Sequence, residues 1–149
     1  MERKKILITD DEPSVLRVLD MKFKNAGFEV LTALNGLEAL EIIKTSLPDI
    51  VISDNRMPKM SGVDLLLACK DIRAKKKFLF IMLSSYASVT SKADREWVNS
   101  LADTMFIPKP FSPRNILKII EEYLSGNSKE TATGETERKL DEGEGRVSD

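Results

Sequence analysis

Short apolar runs recur along the chain, separated by longer stretches in which apolar residues repeat with a helical period. The runs lack the in-out alternation of a half-exposed strand, so each predicts a strand covered on both faces, as in a parallel sheet. A more mixed run predicts an edge strand at Glu29–Leu34. The four buried runs are Lys5–Thr9, Ile50–Ser53, Phe78–Leu83 and Met105–Ile107.

The stretches between the runs predict five helices, each with apolar residues three or four positions apart on one face. Asn35 is the expected N-cap of the second helix, and Gly27 closes the first. The fourth helix is the narrowest in apolar character and is rich in Ser and charge. The five stripes are Leu16, Leu19 and Phe23; Leu37, Leu40, Ile43 and Leu47; Val63, Leu66 and Leu67; Val89, Ala93, Trp97 and Leu101; and Ile116, Ile120 and Leu124.

Five strands, each followed by a helix, predict an α/β doubly wound parallel sheet over residues 4–125. The count matches the flavodoxin-like strand order 2-1-3-4-5 with five helices. Composition changes after Ser125, because Gly126–Asp149 contains three aliphatic side chains among eleven charges. Residues 126–149 are therefore expected to be a disordered tail or the stub of a linker.

Composition says more about the expected partners and cellular location of the chain than about the reaction it takes part in. The net charge of −1 gives no reason to expect nucleic acid or a membrane surface as a partner, and no apolar run is long enough to span a membrane. A single cysteine, Cys69, suits the reducing cytoplasm. The chain contains no histidine, so any histidine chemistry must come from a partner.

Polar residues capable of chemistry follow the predicted strands at their carboxyl ends. Asp10 and Asp11 follow the first strand, Asp54 the third, Ser84 the fourth and Lys109 the fifth. In the order 2-1-3-4-5, the switch point lies between the first and third strands, where ligands bind. The three aspartates are therefore expected in one crevice.

Clustered carboxylates without His or Cys suit a hard, oxygen-seeking cation, usually Mg²⁺. With Lys109 and the Ser84 hydroxyl, the crevice would suit phosphoryl transfer, a carboxylate being a possible nucleophile. Each residue alone also fits an ordinary structural role: acidic residues at a helix start, turn chemistry at Asp54, a solvated loop at Lys109, and a core position at Phe106. The coincidence of all of them at strand ends favours the functional interpretation.

Four segments carry a resemblance to a known family. The sequence reads ITDDEP at 8–13, ISDNRMPKMSG at 52–62, MLSS at 82–85 and IPKPF at 107–111. Together these segments resemble the receiver domain of response regulators, the phosphoacceptor module of two-component signal transduction and phosphorelay systems. The resemblance extends from Lys4 to about Ser125.

The resemblance implies a role for each site residue. Asp54 would accept a phosphoryl group from the phosphohistidine of a histidine kinase or a histidine phosphotransfer protein. Asp11 and Asp54 would bind Mg²⁺ directly, Asp10 would act mainly through water, and the Arg56 backbone carbonyl would be a further ligand. Lys109 would pair with the phosphoryl group.

The resemblance also implies a switch rather than an enzyme, with only self-catalysed phosphoryl acceptance and autodephosphorylation. Ser84 would be the switch hydroxyl and Phe106 the switch aromatic. They would repack the face formed by the fourth helix, the fifth strand and the fifth helix, and so signal to an output domain or downstream protein. Arg56 and Tyr86 are expected to flank the phosphoryl group and lengthen its lifetime.

Three positions depart from the family pattern. Ser84 stands where Thr is commoner, Phe106 where Tyr is frequent, and Leu101-Ala102 where Gly-Ala is usual before the fifth strand. None of these departures removes a residue that the chemistry requires.

Three other classes fit parts of the pattern. A phosphohydrolase of the haloacid dehalogenase kind needs Asp-x-Asp after the first strand, whereas this chain has adjacent Asp10 and Asp11. A flavodoxin-like FMN carrier needs a phosphate loop there, which an acidic Asp-Asp-Glu would oppose. A pseudo-receiver would bind partners without phosphorylation, and the presence of Asp11, Asp54 and Lys109 disfavours it.

Overall fold

A computed structural model describes residues 3–85 and 92–126 of the chain. Within these residues five strands alternate with six helices. In chain order they are β1 Lys5–Thr9, α1 Pro13–Asn25, β2 Glu29–Ala33, α2 Gly36–Ser46, β3 Ile50–Asp54, α3 Gly62–Ala68, α4 Lys70–Lys75, β4 Leu79–Ser85, α5 Lys92–Ser100, β5 Thr104–Lys109 and α6 Pro113–Leu124. No helix in the described part of the chain is both long and apolar enough to cross a membrane.

All strand pairs are parallel, and the sheet has the order β2-β1-β3-β4-β5. The predicted flavodoxin-like topology is therefore confirmed, as is the edge position of the mixed strand β2. The central strand β3 is buried at every position from Ile50 to Asp54, whereas β2 has exposed positions. This difference accords with the uninterrupted apolar runs of the inner strands. The run Met105–Ile107 is an exception: it lies in β5, the other edge strand, and is half-buried rather than buried as predicted.

The core lies on both faces of the sheet. On one face, Leu19 and Phe23 of α1 and Ile116 and Ile120 of α6 pack against alternate residues of the strands. On the other face, α2, α3 and α5 contribute a second cluster that includes Ile43, Leu65 and Val98. Helices on both faces leave the carboxyl ends of the strands as the open rim of the sheet.

Local capping fixes where α2 begins. The Asn35 side chain accepts a hydrogen bond from the Glu38 amide at 2.9 Å, and the Glu38 carboxylate accepts one from the Leu34 amide at 2.7 Å. The first bond satisfies an amide that the first helical turn leaves without a partner, and the second ties the residue before the N-cap to that turn. Asn35 is thus the N-cap, as predicted.

The prediction of five helices is wrong, because the third predicted helix is two helices, α3 and α4, joined at Cys69. The backbone bends there, with φ −97° and ψ 13°. Hydrogen bonds from the Cys69 amide to Leu65 and from the Arg73 amide to Cys69 continue across the bend. The apolar period weakens after the bend, since α4 contains no buried residue but its Ile72 still packs, partly buried, against the core cluster. The pattern therefore gave no sign that the helix divides at Cys69.

The predicted stripe of the helix before β5 is correct only in part. Trp97 and Leu101 pack against the core cluster, but Ala93 is exposed, and the buried residue of α5 is Val98. Val89 lies outside the described residues. The phase of α5 is set by its packing on β5, and a stripe so poor in apolar residues does not define that phase.

Candidate site at the carboxyl ends of the strands

The end of β1 places two acidic residues in different environments. The Asp10 side chain is buried, and one of its oxygens accepts a hydrogen bond from the Glu12 amide at 2.9 Å. Asp11, the next residue, is exposed. The turn between β1 and α1 therefore holds one carboxylate inside the rim of the sheet and presents the other toward solvent.

Asp54 ends β3 and lies beside Lys109, the last residue of β5. The Lys109 ammonium is 3.1 Å from a carboxylate oxygen of Asp54 and 3.7 Å from one of Asp10. Asp54 is buried, and the Lys109 side chain is largely covered. A cation is thus held between two buried carboxylates by the ends of three different strands.

The three aspartates form a compact cluster of negative charge. Asp10, Asp11 and Asp54 each offer a carboxylate oxygen, and these oxygens lie within 4.8 Å of one another. Burial raises the pKa of Asp10 to about 6, and the neighbouring charge of Asp54 adds to that rise. Burial also raises the pKa of Asp54, because the hydrogen bond and charge of Lys109 offset it only in part.

Lys109 stays a strong cation in this setting. Burial by itself lowers the pKa of its ammonium, but the hydrogen bond and charge of Asp54 and the charge of Asp10 outweigh that effect and raise it. One ammonium still faces three carboxyl groups. The cluster is electrostatically unbalanced and would be relieved by a further positive charge.

A divalent cation fits this cluster. One Asp10 oxygen is buried and has no hydrogen-bond partner among the described residues, and its 3.7 Å separation from Lys109 is too long for a hydrogen bond. All the converging side-chain ligands are oxygens, the set that Mg²⁺ and Ca²⁺ prefer. Asp10, Asp11 and Asp54 could therefore hold such an ion together.

The loop after Asp54 is fastened close to the site. The Asn55 amide donates to the Leu83 carbonyl at 3.0 Å, and the Asn55 side chain accepts from the Val63 amide at 3.0 Å. Gly62 packs so tightly that an added Cβ would lie 2.8 Å from the Asp54 carbonyl oxygen. Arg56 is exposed in this loop, and Tyr86, the other residue expected to flank the phosphoryl group, lies outside the described residues.

Ser84 and Phe106 lie on the same face of the sheet. Ser84 is buried in β4, where it pairs with Pro108, and Phe106 pairs with Met82 two positions earlier. Since side chains on one face alternate along a strand, the two share the side that α5 covers. Phe106 is half-buried against the core cluster that contains Val98.

Two contacts near the site have no signal in the sequence. The Phe106 amide donates to the Asn99 side chain at 3.0 Å, so a residue of α5 is bonded to the edge strand beside the predicted switch aromatic. The Asn55 contacts hold the loop after Asp54 by bonds that depend on how β3, β4 and α3 meet. Neither residue belongs to a charge cluster or an apolar period that could have marked it.

The fold and the site together define a class of protein. It is a doubly wound α/β module that has, at the carboxyl ends of its strands, one lysine and a cluster of carboxylates that could hold a cation. The family model for the response regulator receiver domain matches residues 6–121. The chain therefore belongs to the receiver domain family of response regulators, and the resemblance stated from its four segments is confirmed.

Curated relatives are longer than this chain. The alkaline phosphatase synthesis transcriptional regulatory protein PhoP of Bacillus subtilis is 33 % identical over 144 residues, which cover 97 % of this chain and 57 % of that protein. The probable transcriptional regulator ycf27 of Cyanophora paradoxa is 36 % identical over 116 residues, covering 78 % of this chain and 46 % of that protein. The chain thus spans about half the length of these relatives.

Solved structures match over nearly their whole length. The chemotaxis response regulator CheY4 of Vibrio cholerae is 30 % identical with a TM-score of 0.69, covering 81 % of this chain and 98 % of that one. A CheY-like receiver domain protein from Methanospirillum hungatei is 30 % identical with a TM-score of 0.72, covering 87 % of this chain and 99 % of that one. The matched part of this chain is therefore about as long as these two solved chains.

Proposed function

We propose that this chain is a phosphorylation-dependent switch in which Asp54 accepts a phosphoryl group from a partner's phosphohistidine. The observation that carries the proposal is the placement of the Lys109 ammonium 3.1 Å from Asp54, inside the cluster of three carboxylates. The receiver would span residues 4–125, with 126–149 as a tail or linker, of which only Gly126 is described.

In the proposed step a carboxylate oxygen of Asp54 attacks the phosphorus of the phosphohistidine. The new bond is between that oxygen and phosphorus, the phosphorus–nitrogen bond breaks, and the departing imidazole takes up a proton from solvent. Lys109 pairs with the equatorial phosphoryl oxygens, whose negative charge would otherwise be unbalanced in this acidic cluster. Beyond this acceptance and its later hydrolysis we propose no enzymatic activity.

Mg²⁺ is the proposed cofactor, held by Asp10, Asp11 and Asp54 with the Arg56 carbonyl. It would supply positive charge that lets the carboxylates and the incoming phosphoryl group lie together. Asp10 is suited to this role because its buried, unpartnered oxygen needs a cation or a bound water. Arg56 and Tyr86 remain proposed determinants of how long the phosphoryl group lasts.

The output side of the proposal concerns α5, β5 and α6. Ser84, the proposed switch hydroxyl, would bond a phosphoryl oxygen, and Phe106 would move toward the space thus vacated, repacking that face for an output domain or downstream protein. The upstream partner would be a histidine kinase or a histidine phosphotransfer protein. We propose a cytoplasmic location, with no direct contact of this domain with nucleic acid or membrane.

Incubation with acetyl phosphate and Mg²⁺ tests the proposal. Wild type should gain one phosphoryl group by mass spectrometry, Asp54→Asn should gain none, and the matched control Asp20→Asn, a partly exposed residue of α1, should label like wild type. EDTA should prevent labelling. Labelling of Asp54→Asn at the wild-type rate would contradict the site, and no labelling of wild type would favour the pseudo-receiver alternative.

A further inference from the structure

A second pocket lies at the opposite end of the sheet from Asp54, between α3, α4 and α5. Its volume is about 390 Å³, within the range of small-molecule sites. Its floor is formed by Leu66 and Phe78, which are buried, and its walls by Leu67, Trp97 and Leu101. The lining is thus mainly aliphatic and aromatic.

The mouth of this pocket is basic. Lys70, Arg73 and Lys77 line it against a single carboxylate, that of Asp103. Lys70 is exposed, and the Lys77 side chain is 67 % exposed and 3.8 Å from Asp103, so both ammonium groups remain accessible to a ligand. Arg73 adds positive charge, although its Nη2 nitrogen donates to backbone carbonyls.

We propose that this pocket binds a small amphipathic anion, whose apolar body lies between Trp97 and Leu66 and whose acidic group meets Lys70 and Lys77. The apolar lining would take the body, and the excess of cations at the mouth complements a carboxylate, sulfonate or phosphate. The volume suits one compact molecule, whereas a stable protein partner needs a contact surface of roughly 800 Å² on each side. The inference is independent of phosphorylation at Asp54.

The probe for this site is 8-anilinonaphthalene-1-sulfonate, added to the full chain under native conditions. Trp97 is the only tryptophan of the chain, so binding in the pocket should quench its emission and sensitise the dye at a stoichiometry of one. The uncharged analogue N-phenyl-1-naphthylamine has nearly the same apolar body without the acidic group. It should bind about tenfold more weakly, a difference of about 1.4 kcal/mol.

Two variants locate the site. Lys70→Ala with Lys77→Ala should weaken dye binding by about tenfold, while the control pair Lys75→Ala with Lys118→Ala, exposed lysines outside the pocket, should leave it within about twofold. Ala74→Phe, at an exposed helical position on the pocket lining, should block binding without entering the core.

Three results would overturn the proposal. The first is absence of saturable binding to the native full chain, and the second is equal weakening in the two lysine pairs. The third is that the dye binds only after residues 127–149 are removed. The natural occupant of the pocket would then be a segment of this chain rather than a small anion. Retention of the thermal melting transition in every variant checks that none of these results reflects unfolding.

Discussion

Where β4 and β5 begin, the Arg73 side chain is partly buried, and its Nη2 nitrogen donates to the carbonyls of Phe78, Ala102 and Asp103 at 3.2, 3.1 and 2.7 Å. Its guanidinium also lies over the ring of Phe80, 6.0 Å from its centre. Where the strands end, by contrast, Asp10 is buried with an oxygen that has no hydrogen-bond partner among the described residues.

The two charges differ in their partners: Arg73 is hydrogen-bonded to backbone carbonyls, whereas one Asp10 oxygen has no hydrogen-bond partner among the described residues. Arg73 joins α4 to the starts of two strands by hydrogen bonds that offset part of the cost of its burial, although burial still lowers the pKa of its guanidinium. At the other end, burial and mutual repulsion raise the pKa values of Asp10 and Asp54, which means that the folded chain holds these charges at a cost in stability. Such a cost accords with the proposal that a cation and a phosphoryl group bind here.

The largest effect on stability is expected from Arg73→Met. The substitution keeps the apolar stem of the side chain but removes a charged donor from three carbonyls, of which Ala102 and Asp103 each keep one other donor. The free energy of unfolding should therefore fall by about 2–4 kcal/mol. Urea denaturation measures this change. The control Arg114→Met, at an exposed position of α6, should change stability by less than about 0.5 kcal/mol. Equal effects of the two substitutions would show that Arg73 does not fasten this end.

Asp10→Asn, in contrast, is expected to raise the free energy of unfolding in the presence of EDTA. In the folded chain the Asp10 pKa is raised to about 6 from 3.8, so the folded state binds more protons than the unfolded state between these values. Wild-type stability should therefore fall as pH rises from about 4 to about 7, by about 1–3 kcal/mol from this group. Asp10→Asn should remove that fall and be the more stable protein at pH 7.

Denaturation of both proteins across this pH range checks the prediction, with Asp71→Asn, an exposed residue of α4, as the control. Asp71→Asn should keep the wild-type pH profile. Mg²⁺ should stabilise wild type more than Asp10→Asn, since a ligand at a given concentration stabilises the folded state more when it binds that state more tightly. If the stability of wild type rose with pH over the same range, the folded structure would favour the charged form of Asp10, contrary to the prediction.

The sequence predicted the arrangement at the carboxyl ends of the strands better than the arrangement where the strands begin. Because parallel strands bring their carboxyl ends to one edge, residues such as Asp10, Asp54 and Lys109 could be placed together from their positions after apolar runs. Arg73 could not be found this way. Its partners Ala102 and Asp103 are 29 and 30 residues away and are reached through backbone carbonyls, which every residue possesses.

The pattern of apolar and polar residues also did not predict local backbone geometry. The bend at Cys69 and the left-handed conformation of Asp103, with φ 56°, arise where the chain is held by tertiary contacts. Asp103 is a residue type that tolerates this conformation, but nothing in the sequence marks it as the position that adopts it. The departure noted at Leu101-Ala102 thus lies directly before a turn whose shape only the structure defines.

The smallest effect is expected at Asn99, which joins α5 to the edge strand near the functional end. Its side chain accepts a hydrogen bond from the Phe106 amide at 3.0 Å in an exposed setting, so Asn99→Ala should cost about 0.5–1.5 kcal/mol. The loss should be local: hydrogen exchange at the Phe106 amide should quicken by about tenfold, while amides of the central strand β3 should change far less.

Asn115→Ala, an exposed residue of α6, is the control. If exchange at Phe106 stays within about twofold of wild type, equivalent to about 0.4 kcal/mol, this bond does not hold α5 to β5. The predicted switch face would then depend on apolar packing alone.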